Sequence, residues 1–220
     1  MYHTIIQALK KSAANIRFRG SQNYWESRYA KGGTSGAGSY GEFAEFKAEI
    51  INNFLLANHI KSVIEFGCGD GNQISLFRFP HYIGVDVSQT VLNRCQGRFS
   101  GDPTKTFLLS TQYKGQTAEC ALSLDVVYHL VEDRIFTDYM DTLFSSALRF
   151  VILYTSNVMP QELRTRNLQM REHVRHRHVT GYVAEHHPGW RLAEHIPNRY
   201  PYNWDTGKGS FADFFIYESK

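Results

Sequence analysis

Cysteine is scarce in this chain. Cys68, Cys95 and Cys120 are an odd number with no C-x-x-C pair, which argues against a disulfide framework or a cysteine-rich zinc site and fits a reducing compartment. Long apolar runs are missing too. The opening MYHTIIQALKKSAANIRFRG lacks the uninterrupted apolar core of a signal peptide. No stretch approaches the roughly 18 apolar residues of a membrane span, so a soluble, cytoplasmic protein without membrane contact is expected. Net charge is also small. Lysine and arginine total 24 against 21 acids, a formal +3, too mild for a large nucleic-acid or membrane footprint. No internal repeat is found. What is present is globular: 220 residues, 42% hydrophobic, 20% charged and an unusual 14% aromatic. Such a chain buries about 70% of its unfolded surface without staples, so one domain over 1–220 is expected.

Along the chain, Ile5, Ile6, Leu9, Ala13 and Ile16 fall at helical spacing and predict an amphipathic helix packed on the domain. GGTSGAGSYG (32–41), with five glycines, reads as a flexible loop. The recurrence of Phe43, Phe46, Ile50, Phe54 and Leu55 predicts a helix. KSVIEF and YIGVDV then read as strands, NQISLFRF as a short helix, and Ser88 as the cap of a helix reaching about Phe99. TFLLS, AECALSL and RFVILYTS supply further strands, with a helix over 133–148. Strands alternating with helices predict an α/β fold with a mostly parallel sheet between helical layers. Within it, 1–58 reads as N-terminal helices and a glycine-rich lid, 60–155 as the binding core, and 156–220 as substrate-side elements with a basic helical stretch and final strands.

The sharpest signal is Glu65-Phe66-Gly67-Cys68-Gly69-Asp70-Gly71 between a strand and a helix. Alternating glycines allow a tight turn and let a ligand lie against the main chain. Nineteen residues beyond Gly67, Asp86 closes the next strand, where an acid accepts hydrogen bonds from ribose hydroxyls. The spacing is G-x-G-x-G rather than the G-x-G-x-x-G of dinucleotide sites, and Glu65 would repel a pyrophosphate. Both facts point to a ligand bearing an amino group or positive charge.

VIEFGCGDG, YIGVDVS and ALSLDVVYHLVED, in that order, resemble the class I S-adenosylmethionine-dependent methyltransferases. The resemblance covers residues 60 to 155 well and implies a Rossmann-like three-layer sandwich whose seven-stranded sheet has an antiparallel last strand, supplied by FADFFIYE. It implies S-adenosyl-L-methionine as cofactor and S-adenosyl-L-homocysteine as product. Cofactor contacts are then expected from Glu65, Gly67, Cys68, Gly69, Gly71, Asp86, Val87, Leu124, Asp125 and Tyr29, with Asp102 to Lys105 approaching the adenine. NYWESRYAKGG is similar to the aromatic lids of small bacterial methyltransferases, which makes Tyr24, Trp25, Arg28 and Tyr29 lid candidates.

Methyl transfer asks the protein mainly to position the acceptor and to take its proton. His129, four residues after Asp125 at the carboxyl end of the fourth strand, is the first candidate base, and Tyr128 the second. RTRNLQMREHVRHRH (164–178) holds five arginines and three histidines against one acid, a composition suited to an anion-binding wall or to a solvated face. Arg175, His176 and Arg177, with Tyr24, are the expected substrate contacts. His173, His176 and His178 lack a carboxylate or cysteine to complete a metal site, so no metal is expected. Tyr200, Tyr202 and Trp204 suit either a ring-bearing substrate or cover for the sheet edge.

The expected activity is therefore methyl transfer to oxygen or nitrogen of a small anionic metabolite, phosphorylated or sugar-related. HVRHRH and SFADFFIYE are similar to methyltransferases of capsule or glycan assembly. The rival readings are a tRNA or rRNA methyltransferase, a non-catalytic cofactor-binding partner, and a dinucleotide oxidoreductase. The chain lacks the N/D-P-P-Y/F motif of nucleic-acid amino-methylating enzymes. A monomer or homodimer is expected.

Overall fold

The sheet grows outward from strands that are apolar on both faces, as the centre of a covered parallel sheet requires. These are β1 (Ser62–Phe66) and β4 (Ala118–Leu124), which pair in parallel. On one side follow β2 (His81–Asp86) and β3 (Lys105–Leu109); on the other lie β5 (Ala147–Ser156), β7 (Ala212–Ser219) and β6 (Trp190–Ile196). The order is β3-β2-β1-β4-β5-β7-β6, and β7 runs antiparallel to both of its neighbours, β5 and β6. The computed structural model describes residues 20–159, 161 and 172–220; the predicted helix over the first residues, together with Arg164, Arg166 and Arg171, lies outside them.

Among the described residues five helices accompany the strands: α1 (Ser21–Ala30), α2 (Gly41–Ala57), α3 (Gln89–Arg98), α4 (Asp133–Ser145) and α5 (Val179–His186). Side chains alternate across the sheet, so each strand feeds two cores. Ile51 and Leu55 of α2 with Leu92 and Cys95 of α3 cover one face, while Phe136, Met140 and Leu143 of α4 with Val183 of α5 cover the other. The result is a three-layer α/β/α sandwich. Ser88 caps α3 as its residue type predicts, its Oγ accepting from Val91 N at 3.2 Å. Among the described residues no helix is long and apolar enough to cross a membrane.

Four local expectations are corrected. NQISLFRF forms only the 3-10 turn Ile74–Leu76. Phe77 and Phe79 are buried while Arg78 between them is exposed, a period-2 pattern before Pro80 that demands extended chain. The glycine-rich loop is held rather than free. Ser35 N donates to Asp70 Oδ2 at 2.8 Å, Asp70 N returns a bond to Ser35 Oγ at 2.9 Å, and Tyr40 OH adds a third at 2.9 Å. Residues 172–178 form a turn and irregular chain, not the end of a basic helix. Finally β6, whose middle five residues are all exposed, carries no alternation to announce it, because an edge strand on a solvated rim need not be amphipathic.

Candidate functional site

A cavity of about 320 Å3 opens at the carboxyl ends of β1, β2 and β4, the edge where open α/β sheets receive ligands. Its floor is the glycine turn. Gly67 N and Cys68 N both donate to Val85 O, at 2.7 and 3.2 Å, which ties the turn to the end of β2. Gly67 and Gly69 have φ of 82° and 63°, values that side-chain-bearing residues rarely adopt. A Cβ on Gly69 would lie 2.4 Å from Ser35 Oγ, so only glycine lets the loop close over the turn. Gly71 has a different task. It packs on Phe99 and Cys95 and does not face the cavity.

Asp86 sits at the rim of this floor, 6% exposed, where its two oxygens accept from Gly69 N and Ser88 N, each at 3.0 Å. Each carboxylate oxygen retains a lone pair for a further donor. Burial pushes the Asp86 carboxyl up to about 6, against the pull of those backbone N–H groups. Glu65 also lines the cavity. Burial raises it to about 7, although Tyr82 OH donates to its Oε2 at 2.6 Å. Cys68, Val87 and Leu124 supply apolar wall beside them.

The far side of the cavity is built around Asp125. This residue has φ of 61°, a left-handed conformation that costs about 1 kcal/mol or more outside glycine. Its carboxylate is clamped, Oδ2 by Lys47 Nζ at 2.6 Å and Oδ1 by Tyr128 OH at 2.7 Å. Lys47 is 1% exposed and is the one lysine or arginine on the cavity wall among the described residues. Sequence reasoning missed it. The signal was a lysine in the apolar stripe of α2, between Phe43 and Ile51 at steps of four. Gln73, Ser35 and Ser110, which also line the cavity, were missed because turns between elements carry no periodicity.

His129 reaches the cavity from the 3-10 turn Val127–His129. Its Nδ1 lies 2.9 Å from the His173 carbonyl oxygen, which can only accept, so Nδ1 carries the hydrogen and Nε2 keeps its lone pair. Burial lowers the imidazole to about 4, leaving it neutral at physiological pH. Trp25 meets it edge-on at 5.0 Å and His173 stacks on it at 5.6 Å. Tyr24 stacks on His173 at 4.3 Å, its OH 3.3 Å from Nε2. Tyr128, by contrast, is spent on Asp125.

The lid candidates belong to α1, a helix rather than a loop. Both ends of α1 are anchored. Ser21 Oγ lies 2.7 Å from Glu132 Oε2 and 2.8 Å from His129 O, its one hydrogen shared between the two acceptors, while Arg94 of α3 donates to Tyr29 O and, at 2.8 Å, to Gly33 O. Trp25 and Tyr29 face the cavity from this bridge.

The substrate candidates of the basic run fall elsewhere. Arg175 and Arg177 both bind Asp133, at 2.9 and 3.2 Å. Arg177 also donates to Leu130 O at 2.6 Å and covers the Phe136 ring at 4.3 Å. They clamp the start of α4 and do not line the cavity. His176 is 8% exposed, sits 2.5 Å from Ser156 Oγ through Nδ1 and is lowered by burial to about 4; it too lies off the cavity wall. Asp102 to Lys105, expected near the adenine, stand at the amino end of β3 and do not line the cavity; there Asp102 accepts from Thr104 N at 3.0 Å. At the carboxyl end of the same strand it is Ser110 that lines the cavity. Among the described residues no group of His, Cys, Asp or Glu is placed to hold a metal.

No protein-family model matches the sequence, and no curated protein matches it. Solved structures do. The N-methyltransferase NodS from Bradyrhizobium japonicum, in complex with S-adenosyl-L-homocysteine, is 10% identical over 91% of this chain and 98% of its own, with a TM-score of 0.66. The magnesium protoporphyrin IX methyltransferase from Synechocystis PCC 6803, with S-adenosylhomocysteine bound, is 16% identical over 90% and 98%, with a TM-score of 0.62. The DhpI complex with SAM is 14% identical over 91% and 96%, with a TM-score of 0.60. At these identities the likeness establishes the Rossmann-like methyltransferase fold.

Proposed function

We propose that this chain is an S-adenosylmethionine-dependent methyltransferase acting on oxygen or nitrogen of a small molecule. The observation that carries the reading is the floor of the cavity: a main-chain turn open to a ligand, with the buried Asp86 carboxylate fixed beside it and lone pairs to spare. The lining fits the cofactor's charge. Among the described residues Asp86, Asp125 and Glu65 face it against Lys47 alone, an acidic balance that favours a sulfonium. Neighbours of the same fold crystallised with S-adenosylhomocysteine or SAM support the cofactor.

When bound, the cofactor supplies a methyl group activated by its sulfonium. Asp86 would accept from the ribose hydroxyls beside the main chain of Gly67 and Gly69, which lines the cavity while Val126 and Ser35 fill the space that side chains there would need. Trp25 and Tyr29 exclude water from above. His129 Nε2 takes the acceptor's proton. A base lowered to about 4 suffices, because a hydroxyl or amine becomes strongly acidic as its bond to carbon forms.

We further propose a phosphorylated or sugar-related acceptor of the kind handled in glycan or capsule assembly. Its support is the basic run in the sequence, and since Arg175 and Arg177 bind Asp133, it rests on Arg164, Arg166 and Arg171, outside the described residues. Incubation with isotope-labelled S-adenosylmethionine and a panel of phosphorylated, nucleotide-sugar and neutral hydroxyl- or amine-bearing metabolites, followed by mass spectrometry, tests both levels. Transfer to a neutral acceptor alone removes the anion, and transfer to none removes the enzyme.

A further inference from the structure

The arginines that leave the cavity wall meet the base from behind. After β4 the chain runs to the start of α4 with only the 3-10 turn Val127–His129 between, so carbonyl groups there need partners from elsewhere. One strap of irregular chain, residues 173–177, supplies them. Arg175 N donates to Tyr128 O at 2.7 Å, and Arg175 Nη1 to Val131 O at 2.9 Å. Arg177 Nη1 donates to Leu130 O at 2.6 Å and its Nη2 to Val131 O at 3.3 Å, while Asp133 pairs with both guanidinium groups. His129 is bonded within this ladder through its ring, Nδ1 to the His173 carbonyl. Every residue from Tyr128 to Val131 is thus tied to the strap, and none of the strap lines the cavity.

The register of the strap decides what the imidazole can do. A neutral imidazole carries its hydrogen on one nitrogen or the other, and only hydrogen on Nδ1 leaves Nε2 able to take a proton. The His173 carbonyl selects that form. A carbonyl on irregular chain keeps its place only if the chain is held, and the two arginine forks each grip a main-chain carbonyl and the Asp133 carboxylate at once. From the other side Tyr24 stacks on the His173 ring at 4.3 Å. We infer that Arg175 and Arg177 are positioning residues for methyl transfer: they hold the strap where the His173 carbonyl keeps hydrogen on His129 Nδ1, so that Nε2 takes the acceptor's proton. The imidazolium then formed keeps its Nδ1–H bond to the carbonyl. The inference rests on His129 as the base. It adds that two residues off the cavity govern the rate of transfer and not the binding of either ligand.

Nitrogen NMR of protein carrying isotope-labelled histidine tests the tautomer without turnover. At about pH 8, where the imidazole is neutral, His129, assigned by its loss in His129→Ala, should show a protonated Nδ1 and an unprotonated Nε2. In Arg175→Gln/Arg177→Gln the two signals should move together as tautomers mix. The kcat for the acceptor found in the metabolite screen should fall about 10-fold, with acceptor KM and S-adenosylhomocysteine affinity unchanged. Arg175→Gln alone, at a half-exposed side chain, keeps the test open if the double variant does not fold, with a loss of about 3-fold. Wild-type His129 with its hydrogen on Nε2, or a folded variant in which either the tautomer or kcat is unchanged, overturns the positioning role while the enzyme reading survives. A raised KM at unchanged kcat overturns it too and returns the arginines to the acceptor. A wild type that methylates nothing overturns the base and its positioning together.

Discussion

The two ends of the cavity are built in opposite ways. At the Asp86 end the parts are close in sequence: Gly67, Gly69, Asp86 and Ser88 lie at the carboxyl ends of two adjacent parallel strands and bond mainly through backbone groups. At the Asp125 end they are brought from afar. Lys47 bonds Asp125 across 78 positions, His129 meets His173 across 44, and Ser21 reaches Glu132 across 111. The first end is a property of a turn and tolerates little side-chain variation. The second is a property of the folded chain, where side-chain chemistry is free to define the acceptor.

If that contrast is right, breaking the far end should cost stability or turnover, whereas perturbing the near end should cost affinity. The largest effect is expected for Lys47→Met, which leaves the Asp125 carboxylate uncompensated beside a buried apolar group. Chemical denaturation should show a loss of about 3–5 kcal/mol, most of it recovered by adding Asp125→Asn. A loss below about 1 kcal/mol would mean that the pair is solvated rather than buried. Next comes His129→Ala. Turnover should fall by about 100-fold or more with unchanged S-adenosylhomocysteine affinity, and full activity would reassign the proton to solvent.

The near end answers to pH. The Asp86 carboxyl, raised by burial to about 6, accepts ligand hydroxyls best when ionised. S-adenosylhomocysteine affinity should therefore be constant above neutrality and fall as pH drops through 6, about 10-fold weaker at pH 5 than at pH 8. Asp86→Asn should flatten that profile. The smallest effect is expected from Arg177→Gln, which removes a bond to Leu130 O and the cover over Phe136. About 1 kcal/mol of stability should go, with the acceptor KM unmoved. A large rise in KM would restore Arg177 to the anion wall.

The same contrast explains how much could be read beforehand. The antiparallel β7 was implied by the family resemblance, whereas the core strands, the Ser88 cap and the glycine floor are local patterns, each visible as a run, a spacing or a residue type. The Lys47–Asp125 clamp is not, because a charge in an apolar stripe declares burial without naming its partner. Arg175 and Arg177 of the basic run stand off the cavity for a related reason. Composition concentrates charge along the chain, but Asp133, more than 40 residues upstream, pairs with both of them in space. Trp25 and Tyr29, four residues apart, did carry the helical spacing of α1, hidden by the glycines that follow.

The central claim is that the cavity over Gly67 and Gly69 holds an S-adenosyl nucleoside against Asp86. Titration calorimetry with S-adenosylhomocysteine and, separately, NAD tests it most directly. One S-adenosylhomocysteine per chain should bind, with affinity lost in Asp86→Ala, and NAD should give no binding heat. Binding of NAD in preference, or no binding of S-adenosylhomocysteine, would contradict it.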